Sequence, residues 1–151
     1  SSKMRIEKDF KEFIGSLNSH NVRYLIIGSF ALSYYAEPRY TKDIDILVEA
    51  TPPNADRVMK AIREFGLSDI ELESRDFLEP EQVIQLGLEP LRIDLLTSLK
   101  GISFADAWER RTTGQYGDIP AFYISKQDLI DHKRLVGRKQ DLADIEKLIK
   151  A

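Results

Sequence analysis

The stretch YLIIGSFALSYYAEPRYTKDIDILVE, residues 24–49, decides the architecture. Arg23 to Ile27 form a compact β-branched and aromatic run closed by Gly28, the pattern of a buried strand. Ser29 then stands where a side chain caps a helix through about Ala36, and Pro38 stops it. Ile44, Ile46 and Val48 alternate with Asp43, Asp45 and Leu47, so a second strand follows with one apolar and one partly acidic face.

Working outward, Ile6, Phe10, Phe13, Ile14 and Leu17 recur at spacings of three and four, which predicts an amphipathic helix ending near Asn18. After the second strand, Thr51, Pro52, Pro53 and Asn54 read as a loop. Val58, Met59, Ile62 and Phe65 make a helix that Gly66 terminates. Short strands are expected near Ile70 to Glu73, Val83 to Leu88 and Leu91 to Leu96, the last two joined as a hairpin at Glu89 and Pro90. Phe104 to Arg110 predicts a short helix, and Phe122 to Ile124 a last strand with Ser125 as the next cap. Leu129, Ile130, Leu135 and Val136, then Leu142, Ile145, Leu148 and Ile149, fit two helices broken near Gly137, the first four facing the core. Helices with a mixed sheet give an α/β (α+β) fold, and with no repeat or linker residues 1–151 read as one domain.

An apolar fraction of 42 per cent suffices for one core at 151 residues. With 25 acidic residues against 22 basic, no global field attracts nucleic acid, so any such contact would be a local patch. The absence of cysteine excludes a disulfide framework and thiolate-held metals. His20 and His132 lie far apart, so a metal would rest mainly on carboxylates. The longest apolar run, Tyr24 to Ile27, is far below the roughly 20 residues that span a bilayer, and there is no signal-peptide pattern, so a cytoplasmic protein without membrane contact is expected. Ser1, Ser2 and Lys3 precede Met4 and read as a cloning remnant. Nothing in the sequence fixes an oligomeric state.

Several residues can carry chemistry. Gly28 and Ser29 lie where a strand hands over to a helix, so free amides and the positive end of the helix dipole offer an anion site, although a turn with a cap has the same look. Asp43 and Asp45 leave one face of their strand with Cα atoms roughly 6.6 Å apart. They can grip one cation or form a solvated polar face. Asp94 joins them if its strand lies alongside, and otherwise pairs with Arg92 on its own side of the pleat. Lys133 and Arg138 read as helix charges, with Lys133 near the edge of the apolar stripe.

The combination resembles the nucleotidyltransferase superfold: an apolar strand ending in Gly28 and Ser29, a helix, then Asp43, Ile44 and Asp45. Arg39 and Thr41 resemble the small bacterial and archaeal members related to the nucleotidyltransferase toxins of abortive-infection systems, which brings a toxin–antitoxin role into view. Ile93, Asp94 and Leu95 resemble the strand that supplies the third carboxylate, and Leu129 to Leu148 the closing carboxy-terminal helices. The resemblance implies that Gly28, Ser29 and Lys133 hold a nucleoside triphosphate, with Arg138 in the same basic motif. It implies that Asp43, Asp45 and Asp94 are catalytic and bind magnesium or manganese, and that Asp141 or Asp144 orients Lys133. The reaction implied moves a nucleoside monophosphate to a hydroxyl of a protein, a tRNA or a small molecule. A nucleotide-binding or toxin–antitoxin contact module on the same fold is the other expectation.

Overall fold

The computed structural model describes residues 4–67 and 71–151. Six strands form one mixed sheet in the order β3-β4-β2-β1-β6-β5. At its middle are β1 (Tyr24–Ile27) and β2 (Asp43–Val48), antiparallel, with Ile27 opposite Asp45. All four β1 residues are buried, which is why that strand reads as an unbroken apolar run rather than an alternation. Beyond β2, the strand β4 (Leu91–Leu96) runs parallel to it, and β3 (Val83–Leu88) closes that side as an antiparallel hairpin.

Helix α1 (Lys8–Ser19) packs against α3 (Pro52–Phe65), with Phe13 and Phe65 edge-on at 5.3 Å. Phe10 meets Phe30 of α2 (Gly28–Tyr35) at the same distance, so both helices that flank the first strand are anchored by aromatic contacts. Full burial of such a side chain stabilises by about 1.5–3 kcal/mol. Ser103 caps the short α4 (Phe104–Glu109) and Ser125 caps α5 (Lys126–Val136), each accepting from a backbone amide three residues on. Gly137, at φ 69°, ends α5 in the left-handed conformation that lets α6 (Lys139–Lys150) turn back against it.

Several boundaries differ from expectation. α1 begins at Lys8, leaving Ile6 exposed before it. α2 starts at Gly28 with no side-chain cap, so Ser29 lies in its first turn and is not its cap. Of the strand expected at residues 70–73, Ile70 lies outside the described residues, and 71–73 are not a strand; a 3-10 turn follows at Ser74–Phe77. The last expected strand is β6 (Ile119–Tyr123), ending before Ile124. It pairs with an unforeseen β5 (Thr112–Tyr116). Pro120 is tolerated in β6 because β1 reaches that strand only at Tyr123.

Leu135 and Val136 do not face the core. Leu135 is half exposed and leans over the turn at Gly101, while the buried face of α5 is Asp128, Leu129, Ile130 and Lys133. On α6 the inward residues are Asp141, Asp144, Ile145 and Leu148, and Leu142 and Ile149 point to solvent. Among the described residues no helix is long and apolar enough to cross a membrane.

Candidate active site

Because β2 and β4 are parallel and in register, Asp45 lies directly opposite Asp94, and Asp43 opposite Arg92. The period-two alternation puts all four on one face. Asp43, Asp45 and Asp94 each present a carboxylate oxygen within 4.8 Å of the others. An all-oxygen set of this kind suits a hard divalent ion such as magnesium. Burial, then the hydrogen bond and negative charge of Asp94, push the Asp45 carboxyl up to about 7. Thr41 Oγ1 donates to Asp43 Oδ1 at 2.5 Å, and Arg92 reaches both Asp43 and Asp94.

β1 delivers Gly28 beside this cluster at the start of α2. Its φ of 64° is left-handed, and the backbone passes so close to Asp45 that a side chain there would collide with the carboxylate. The amides of the first turn of α2 are unpartnered within the helix and point outward, where a phosphate can accept from them. Among the described residues the Ser29 hydroxyl, part-exposed, has no hydrogen-bond partner.

A cleft of about 330 Å³ joins Gly28, Asp45 and Asp94 to Lys133, Arg138 and Asp141 across from them. Lys133 is 8 per cent exposed. Its Nζ donates to Asp144 Oδ2 at 3.1 Å and lies 3.7 Å from Asp141 Oδ1. Asp144 also accepts from Arg39 at 2.6 Å and Gln140 at 2.9 Å. Burial raises its pKa, but these bonds outweigh burial and hold it below the ordinary carboxylate range. Arg138, mostly exposed at the cleft rim, donates to Asp141 at 2.7 Å and holds that carboxyl low as well. Asp43 borders the neighbouring cavity with Arg92, and Ser29 and Asp144 do not themselves line the cleft.

Two features were not expected from sequence. Val83, Leu96, Leu99 and Leu129 form an apolar wall beside the carboxylates, and His132 completes it. The His132 Nδ1 donates to the Lys100 carbonyl at 3.0 Å. The neighbouring Lys133 was the only local hint that this turn of α5 faces the site. The Arg39–Asp144 pair joins residues 105 apart, so no pattern along the chain signals it.

The model of one protein family, described as a nucleotidyltransferase of unknown function (DUF6036), matches residues 4–150, and the chain belongs to that family. No curated protein matches it.

Proposed function

From that membership and the geometry of the cleft, we propose that the protein transfers a nucleoside monophosphate from a nucleoside triphosphate to a hydroxyl acceptor. The observation that carries this reading is the convergence of three carboxylates beside the Gly28 helix start, facing a buried lysine. A divalent ion held by Asp43, Asp45 and Asp94, magnesium or manganese, would neutralise phosphate charge and make the acceptor hydroxyl more acidic. The chain's own groups position the reactants. The amides after Gly28 and the Ser29 hydroxyl receive phosphate oxygens, and Lys133 binds the β- or γ-phosphate while Asp141 and Asp144 fix its ammonium. Arg138 supports this from the rim.

The acceptor oxygen attacks the α-phosphorus, the bond to the bridging oxygen breaks, and pyrophosphate leaves. The hydroxyl proton passes to the carboxylate cluster, with Asp94 the base this reading assigns. The apolar wall with His132 gives the nucleobase a surface to lie against. A protein, a tRNA and a small molecule all offer a suitable hydroxyl.

Incubating the protein with each labelled triphosphate, magnesium and a cell lysate tests the proposal and reveals the acceptor. Label should move to a macromolecule or small product, and Asp45→Asn should slow it by at least about a hundredfold, the scale of losing a key electrostatic group. Unchanged transfer by that variant would sink the assignment. Saturable triphosphate binding without transfer would leave a binding module.

A further inference from the structure

Arg92 is bound to the carboxylates themselves. Its Nε donates to Asp94 Oδ1 at 2.9 Å, and its Nη2 to Asp94 Oδ2 at 3.1 Å and Asp43 Oδ2 at 3.2 Å. With Thr41 on Asp43 Oδ1, both oxygens of Asp43 and both of Asp94 already have a protein donor. These belong to two of the three carboxylates that would ligate a cation. The two-pronged bond to Asp94 is the strong form of a guanidinium–carboxylate pair.

The side chain is otherwise open to solvent. Arg92 is 46 per cent exposed and borders an open cavity of about 410 Å³, also lined by Lys42, Gly87, Glu89 and Pro90, into which the guanidinium can turn. Among the described residues its ion-pair partners are Asp43 and Asp94 alone. A guanidinium and a divalent ion on the same oxygens repel one another strongly even at the effective dielectric of a surface site.

We propose that Arg92 is the resident counter-cation of the carboxylate cluster, and that a divalent ion binds Asp43, Asp45 and Asp94 by displacing it. This rests on reading the three aspartates as a cation site. It gives Arg92 two tasks. Without metal it restrains the repulsion of the cluster and keeps Asp43 and Asp94 oriented, and by competing for their oxygens it sets how tightly a bare ion is held.

The test uses manganese alone as probe, with free ion followed by electron paramagnetic resonance at pH 8, on the wild type, Arg92→Gln, Arg92→Lys and Asp94→Asn. Removing one positive charge next to a divalent ion should tighten manganese binding by Arg92→Gln at least about tenfold. Arg92→Lys, which keeps the charge, should stay near the wild type. Equal or weaker binding by Arg92→Gln, with binding still lost in Asp94→Asn, overturns the role of Arg92 and leaves the cation site standing. No binding by either the wild type or Arg92→Gln overturns both. A second readout needs no variant: the Arg92 Nε–H, held on Asp94, should exchange with solvent markedly faster when the wild type is saturated with magnesium. Unaltered exchange of that proton in the metal-saturated protein would also overturn displacement.

Discussion

A methyl group on Gly28 would stand 2.6 Å from Oδ2 of Asp45. The glycine is thus fixed twice, once by its left-handed backbone and once by the carboxylate it must pass. Gly28→Ala should cost about 1–3 kcal/mol of stability from backbone strain alone, and displace Asp45 as well. Thermal unfolding with and without magnesium checks both parts: a lower melting temperature, and loss of any metal-induced rise. A variant that melts like the wild type would show that the approach of Gly28 to Asp45 is relaxed at little cost.

The raised pKa of Asp45 sets the sign of a pH effect. In the unfolded chain the carboxyl ionises near its ordinary value of about 3.9; in the folded protein it ionises at about 7. The folded state holds the extra proton between these values, so the contribution of this group to stability is whole below the lower value and lost as pH climbs through the higher. Denaturant unfolding of the metal-free protein from pH 5 to 8 should show declining stability, and Asp45→Asn should flatten the slope. Manganese affinity should rise over the same interval, since the ion needs the deprotonated carboxyl.

Asp141 and Asp144 act with the opposite sign at lower pH. Both are held below the ordinary carboxylate range, so the stability they add is present at neutral pH and disappears as pH falls through their folded values. Asp144→Asn should therefore reduce stability at pH 7 more than at pH 3, measured by urea unfolding at each. An equal loss at both would mean that the Arg39 and Lys133 bonds contribute shape without charge.

Lys133→Ala should weaken triphosphate binding by about 1.5–3 kcal/mol, the scale of a hydrogen bond to a charged group. Isothermal titration calorimetry with a triphosphate and magnesium reads this directly. The substitution should also destabilise the fold, because it removes a buried partner of Asp144; Arg39 and Gln140 remain on that carboxylate and limit the loss. An affinity equal to that of the wild type would remove Lys133 from the site.

Magnesium with a bound triphosphate should raise the melting temperature of the wild type, as any ligand selective for the folded state does. The rise should vanish in Asp43→Asn, Asp45→Asn and Asp94→Asn. Indifference to magnesium and to all four common triphosphates at millimolar concentration would count against the nucleotide site itself.

The sheet centre and its acids were readable in the sequence because strand alternation is a local code. Ile44 and Ile46 must be buried, so Asp43 and Asp45 must share the other face, and the Leu91 to Leu96 run fixes Asp94 in the same way. β5 escaped because TTGQY carries a single fully buried residue, Tyr116, and gains its strand character from pairing with β6. The inner face of α6 escaped for a related reason. Hydrophobicity favours Leu142 and Ile149 as inward residues, yet the inner face holds Asp141 and Asp144, whose burial is made tolerable by Arg39, Lys133 and Arg138. Two of these three partners come from other elements, so a pattern confined to one helix cannot foretell them.

The bond from Arg39 to Asp144 also joins sequence made early to sequence made late. As the chain leaves the ribosome amino end first, the strands bearing Asp43, Asp45 and Asp94 emerge well before the helix bearing Asp144. Until that helix arrives, Arg39 lacks its acceptor and Lys133 has neither of the aspartates that hold it across the cleft. Both aspartates that hold Lys133 across the cleft therefore lie in the part of the chain made last, and a nascent chain that stops short of α6 carries the three acids of the cluster without the partners of Arg39 and Lys133.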